Sequence, residues 1–312
     1  MKKRNRTFVT WLLGLIAGVA SLGGALIAQE AKSMNVLLVV AHPDDEAMFA
    51  ASVYKITHKL QGKVDVAVVT DGSGGFRYAQ LAEPIYGLEL TDEKIARQYL
   101  PAIRKRELMA SGQIIGIRDY FFLDQFDHAY TESIDTVITH VWNADQIKRR
   151  LREIMARTRY DFVFVHLPIP NFHAHHKAAS ILALEAAGTL PDSQRPIVLG
   201  SFVGSRGDST VFPPDTFSEH PGYSITRVRS DVPPFVFDRG EPLSADGRLN
   251  YQIVVNWMIA EHKSQGTMQL LMNRGELERF WYFAANPDGG LERTRNLFEQ
   301  LTSSSLKSKA DN

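Results

Sequence analysis

Four ionisable side chains crowd into five positions in the stretch Ala41-His42-Pro43-Asp44-Asp45-Glu46, directly after an apolar run. A second cluster, Pro170-Asn171-Phe172-His173-Ala174-His175-His176, sets three histidines within four positions and follows another apolar run. Imidazoles and carboxylates are metal ligands, and a turn from strand to helix lets His42 and Asp45 point back toward one ion. His176, opening a helix, supplies a third donor. Two imidazoles and one carboxylate suit zinc with a position left open for water. The same set suits ferrous iron, so the residues alone leave the divalent metal undecided. Such an ion lowers the pKa of water to about 7 and makes hydroxide accessible near neutral pH.

Hydrolysis also needs a base and a partner for the developing oxyanion. Asp44, beside Asp45 but facing elsewhere, is the candidate base. His173 lies one helical turn before His176; if protonated, it stabilises the oxyanion or protonates the leaving amine. Glu46 is expected to orient a ligand or to meet a helix N-terminus. His175 reads as a bystander or a supporting group. Each cluster alone has a plainer reading, as capping carboxylates or as a solvated loop. Their joint placement after two buried strands favours the metal.

The elements that must position these loops follow from hydrophobic patterning. Asn35–Ala41, Lys63–Thr70, Tyr120–Leu123, Tyr160–His166 and Ile197–Val203 read as strands, mostly buried on both faces. Helical segments over Ala47–Leu60, Asp92–Gly116, Ala144–Arg157 and His175–Ala187 alternate with them, and Pro101 marks a break or fresh start in the second. This order predicts an α/β fold, a Rossmann-like three-layer sandwich with a mostly parallel central sheet. Ligands in such sheets bind beyond the carboxyl ends of the strands, where both clusters lie. From Gly204 to Leu249 the chain turns rich in Pro, Gly, Ser and Asp, which predicts a loop or hairpin excursion over the site, with short strands near Tyr223–Arg229. A helix over Tyr251–His262 follows.

The 312 residues are 44% hydrophobic and 22% charged, as in a folded protein with a sizeable core. Lys+Arg and Asp+Glu are 35 each, so net charge gives no case for a nucleic-acid partner. The absence of cysteine excludes disulfides and thiolate metal sites. Lys2, Lys3, Arg4 and Arg6 precede an apolar stretch from Phe8 to Ala28. Residues 1–33 therefore read as a signal peptide or an uncleaved signal-anchor, with an exported, extracytoplasmic domain over 34–302 and a disordered tail over 303–312. If the leader is retained, residues 8–28 contact the membrane.

AHPDDE after a first apolar strand, with the later His173-x-x-His176, resembles the N-acetylglucosaminyl-phosphatidylinositol de-N-acetylase family, also called LmbE-like. The resemblance implies a Rossmann-like zinc deacetylase acting on N-acetylated sugars or glycoconjugates, with His42, Asp45 and His176 as ligands, Asp44 as base and His173 as its electrostatic or acid partner. It further implies substrate-binding or supporting roles for Asp71, in a Gly-containing loop after the second strand, for Arg104 in Arg104-x-x-Glu107, and for Asp127, with Asp124 competing for that role. His262-Lys263-Ser264-Gln265 resembles the family's late His-x-Ser-Gln. One departure matters: the family's second motif is commonly His-Pro-Asp-His, and here His175 stands in place of the acid. The expected function is removal of an N-acetyl or other N-acyl group, a water activated by the ion attacking the carbonyl. The alternatives are an amidase acting on a non-sugar substrate and a non-catalytic glycan-binding protein that keeps the fold. Phe76, Arg77, Tyr78 and Tyr86 are candidates for a substrate-selecting loop. A dinucleotide-binding oxidoreductase is disfavoured, because Gly72-Ser73-Gly74-Gly75 follows the second strand and is not GxGxxG.

Overall fold

A computed structural model describes residues 33–207 and 216–303; the leader and nearly all of the tail lie outside the described residues. Strands β1 (Asn35–Val40), β2 (Lys63–Thr70), β3 (Ile117–Gln125), β4 (Phe162–His166) and β5 (Ile197–Gly204) pair in parallel. β7 (Leu277–Tyr282) runs antiparallel to β5, and β6 (Phe235–Asp238) antiparallel to β7. The sheet order is β3-β2-β1-β4-β5-β7-β6. Around it lie α1 (Ala50–His58), the short turns α2 (Glu83–Tyr86) and α4 (Ile134–Thr136), α3 (Glu93–Ile115), α5 (Ala144–Thr158), α6 (Ala174–Gly188), α7 (Tyr251–Glu261) and α8 (Gly290–Thr302).

Val36, Leu38 and Val40 pack with residues of α1, α3, α7 and α8, while Leu37 and Val39 pack with α5 and α6. Both faces of β1 are thus covered, which is why it reads as an unbroken apolar run. The chain runs outward from β1 to β2 and β3, then returns to place β4 on the other side of β1. Strand order reverses there, so the loops after β1 and β4 part and leave a crevice. Both ionisable clusters sit in it.

Several elements differ from the sequence expectation. The helix after β1 opens with a 3-10 turn, Asp45–Phe49, because Asp45 is turned back: its Oδ2 accepts from the amides of Ala41 (2.9 Å) and His42 (2.8 Å). α3 passes through Pro101 unbroken. One lost hydrogen bond and a ring clash cost about 3 kcal/mol; a face of Ala96, Leu100, Ile103, Leu108 and Ile115 buried along the same helix offsets it. Tyr223–Arg229 forms a 3-10 turn, Ser224–Thr226, with a lone bridge from Val228 to Phe283. The Thr226 hydroxyl accepts from the His220 amide and donates to the Tyr223 carbonyl, which gives the backbone a local alternative to a ladder. The excursion supplies the edge strand β6, and none of its described residues lines the site cavity.

The edge pair also braces the loop after β1 from behind. Glu278 of β7 is fully buried and accepts from the amides of Ala51 and Ser52, both at 2.9 Å, at the N-terminus of α1. Arg239 binds the same carboxylate at 3.0 Å and donates to the Ala47 carbonyl at 2.6 Å. A carboxylate against orphan helix amides is favourable in both charge and hydrogen bonding.

Candidate metal centre

The loop after β1 and the N-terminus of α6 bring His42, Asp45 and His176 together. His42 Nδ1 lies 3.1 Å from His176 Nε2, His176 Nε2 lies 3.2 Å from Asp45 Oδ1, and His42 Nδ1 lies 3.6 Å from Asp45 Oδ2. A tetrahedral ion with bonds of about 2.0–2.1 Å has ligand atoms about 3.3 Å apart. His176 meets Asp45 through Oδ1 and His42 meets it through Oδ2, so the three residues bring donor atoms near the spacing that a zinc-sized ion needs. Their chemistry also excludes a preference for magnesium or calcium, which take oxygen ligands.

The charges around these donors favour a cation. Burial works against charge on His42, yet Asp127 and Asp45 outweigh it and lift the imidazole to about 10. Burial likewise opposes the charge of Asp45, but His176 and the hydrogen bonds of His176 and His42 hold its carboxyl well below the usual range. His166, at the end of β4, stacks on His176 with ring centroids 4.6 Å apart. Burial pushes His166 down to about 3, so it packs against the ligand as a neutral ring.

Asp44 points away from the triangle into the cavity. Arg104 of α3, 2% exposed, reaches its Oδ2 at 3.1 Å and donates to the carbonyls of Gly72 (2.7 Å) and Pro43 (3.2 Å). Burial raises the Asp44 carboxyl, and Arg104 is the main force opposing that rise. Arg104 is not an exposed pair: it lines the cavity and clamps Asp44 and the two loops beside it. Glu46 is also fully buried, bonded to His262 Nε2 (2.6 Å) and to the Ser111 hydroxyl. It thus ties the loop after β1 to the end of α7, beside which His262 of the His-x-Ser-Gln stretch lies.

Asp71 Oδ1 accepts from the amides of Ser73 (2.9 Å) and Asp127 (3.3 Å), so it joins the loops after β2 and β3. Asp127, 4% exposed, accepts from the Gly74 amide at 3.0 Å. A Cβ on Gly74 would lie 2.6 Å from that carboxylate, so only glycine permits the approach. Burial opposes charge on Asp127, but His42, His175 and Arg104 hold it well below the usual range. Asp124 instead pairs with Lys105 at the surface, half-exposed. His175 is fully buried against Trp142, with centroids 4.9 Å apart, and burial lowers it to about 4. His173 donates from Nδ1 to the Thr131 carbonyl at 3.1 Å, and burial pushes it down to about 3. A protonated His173 is thus disfavoured in this setting.

The cavity in front of these groups measures about 370 Å³, within the range of small-molecule sites. Phe76, Arg77 and Tyr78 line it; Tyr86 does not, its hydroxyl being given to Glu107. Tyr130, 66% exposed and stacked 5.0 Å from His173, and Arg97, which holds the Asp127 carbonyl and Ser73, were not singled out from sequence. Tyr130 lies in the loop after β3, so the rule that chemistry follows the parallel strands was a signal for it. Arg97 carried none.

A mostly parallel α/β sheet with imidazole and carboxylate side chains converging at its switch point defines the class: a Rossmann-like protein with a candidate metal site. Residues 37–187 match the family model described as PIG-L: GlcNAc-PI de-N-acetylase. A Bacillus cereus protein described as a probable N-acetyl-alpha-D-glucosaminyl L-malate deacetylase 2 is 24% identical over 182 residues, covering 58% of this chain and 73% of that one. A Bacillus anthracis protein of the same description is 23% identical over 185 residues, 59% of this chain and 73% of that one. The solved structure of N,N'-diacetylchitobiose deacetylase from Pyrococcus horikoshii shares the fold, with a TM-score of 0.53 at 16% identity over 83% of this chain and 89% of that one.

Proposed function

We propose that this chain is a metal-dependent N-deacetylase that removes the acetyl group from an N-acetylglucosamine-type sugar or glycoconjugate. The observation that carries the proposal is the convergence of His42, Asp45 and His176, with closest donor-atom separations of 3.1, 3.2 and 3.6 Å, and the arginine-clamped Asp44 beside them in one cavity. The family and the descriptions of the Bacillus relatives support the acetylated-sugar substrate.

His42, Asp45 and His176 would hold one divalent ion, zinc or ferrous iron. When bound, it supplies Lewis-acid polarisation of the amide carbonyl and acidifies water. Asp44 accepts a proton from the attacking water as its oxygen bonds to the acyl carbon. Arg104 favours the ionised form of Asp44 that this step needs. Asp44 then returns the proton to the amine nitrogen as the C–N bond breaks, releasing acetate and a free amino sugar. A neutral His173 accepts at Nε2 and does not donate, so the acid role falls to Asp44. Tyr130 and Tyr78 give the rim apolar faces against which a sugar ring can lie. The basic and then apolar leader supports an extracytoplasmic location.

The test is acetate release from an N-acetylglucosamine conjugate by zinc-loaded protein, beside Asp44→Asn. A positioned base contributes about 10²–10⁴-fold. Turnover by the variant equal to that of the parent, or none by either, would overturn the proposal.

A further inference from the structure

His42 meets another imidazole through each of its ring nitrogens, and only the Nδ1 contact belongs to the triangle with Asp45 and His176. On the other side, Nε2 lies 3.0 Å from His175 Nδ1 and 3.6 Å from Asp127 Oδ1, and His175 Nδ1 lies 3.5 Å from the same Oδ1. These separations join one atom from each residue and lie within about 0.3 Å of the tetrahedral edge of about 3.3 Å. His173 offers a ring nitrogen within 4.8 Å of those of His42 and His175. Its Nδ1 must donate to the Thr131 carbonyl, which only accepts, so the lone pair of the neutral ring is on Nε2. His175 is fully buried and its Nε2 has no hydrogen-bond partner. His42, Asp127 and His173 line the open cavity, which gives an ion a way in.

We propose that His42 Nε2, His175 Nδ1 and Asp127 Oδ1, with His173 as fourth donor, form a second divalent-metal subsite that shares His42 with the first. The inference rests on the first triangle holding an ion, and it depends on the histidine that this chain carries at position 175. Imidazole-rich donors select zinc, copper or cobalt over magnesium. With both ring nitrogens ligated, His42 bridges as imidazolate, and its last ring proton leaves to solvent as the second ion binds. The rival arrangement has Asp127 and His175 only orienting His42 by accepting from Nε2–H, the usual outer-shell role. The two differ in stoichiometry.

Metal-free full-length protein is titrated with zinc chloride, and bound zinc per chain is counted by elemental analysis after free metal is removed. Two ions are expected in the parent, one in His175→Phe, which keeps a ring against Trp142 but no donor, and one in Asp45→Asn. A parent saturating at one ion that Asp45→Asn loses and His175→Phe keeps overturns the second subsite alone. A parent that binds none sinks the first centre as well. Two ions retained in His175→Phe also overturn the subsite. Should that variant fail to fold, the parent decides the matter when loaded with copper(II). An imidazolate bridge couples the two spins and reduces the low-temperature resonance well below two spins per chain, whereas two full uncoupled spins refute it.

Discussion

Replacing Arg104 by methionine keeps most of its volume and removes the charge that faces Asp44. Coulomb's law at an effective dielectric of about 20 gives ~5 kcal/mol for opposite charges at this pair's 3.1 Å. Asp127, 3.8 Å from the same guanidinium, competes for it, and residual water screens part of the rest. A loss of only ~1.4 kcal/mol from the ionised form moves a pKa by one unit. Burial and Asp45 already push Asp44 upward, so Arg104→Met must raise it further. The base works only when ionised. The acid limb of the kcat/KM profile for acetate release should therefore move to higher pH by about one unit or more. Stability should change in step. Stranding a buried charge costs about 3–5 kcal/mol, or roughly 6–20 °C in Tm for a domain of this size. A carboxylate whose folded pKa is raised destabilises the fold above that pKa and ceases to do so as pH falls through it. The Tm deficit of the variant should thus narrow on acidification. An acid limb that stays in place, together with a deficit that does not change with pH, would refute the assignment of Arg104 as the clamp on the base.

Removing the ion with a chelator should lower Tm, and zinc restored at about 100 times its Kd should return ~2.7 kcal/mol; His42→Ala or His176→Ala still gaining stability from zinc would count against the triangle. Because Asp127 and Asp45 lift His42 to about 10, the metal-free site holds a proton there at neutral pH. Zinc binding at pH 7.5 should release at least about one proton and tighten as pH rises; calorimetric heats that do not vary with the ionisation enthalpy of the buffer would contradict this. Glu278→Ala strands Arg239 and two helix amides, so denaturant unfolding should show a loss of about 3–5 kcal/mol. A loss below about 1 kcal/mol would mean that the edge pair does not anchor α1.

The central sheet was legible because β1, β2, β4 and β5 are covered on both sides and so carry apolar runs that no surface strand would keep. β7 was not, because its sequence Leu277-Glu278-Arg279-Phe280-Trp281-Tyr282 mixes charge into a strand; the buried Glu278 makes sense only once the N-terminus of α1 lies against it. The convergence of His42, Asp45 and His176 could be read from residue types and from the rule that loops after parallel strands meet. The role of Arg104 could not, since a helical arginine looks solvated until carbonyls from two distant loops are seen to surround it. Position 175 shows the same limit. Its residue type marked a departure from the family's acid, while its contacts with His42, Asp127 and Trp142 emerge only from the packing of α6 against the loops after β1 and β3.

The clamp on α1 bears on how the molecule is made. All candidate ligands and the base lie before residue 180, yet the carboxylate that fixes the helix behind them is contributed almost a hundred residues later. A chain that stops short of β7 therefore lacks the backing of the loop that carries His42 and Asp45. Any grip that the candidate ligands have on an ion would thereby lean on a carboxylate far downstream of all of them.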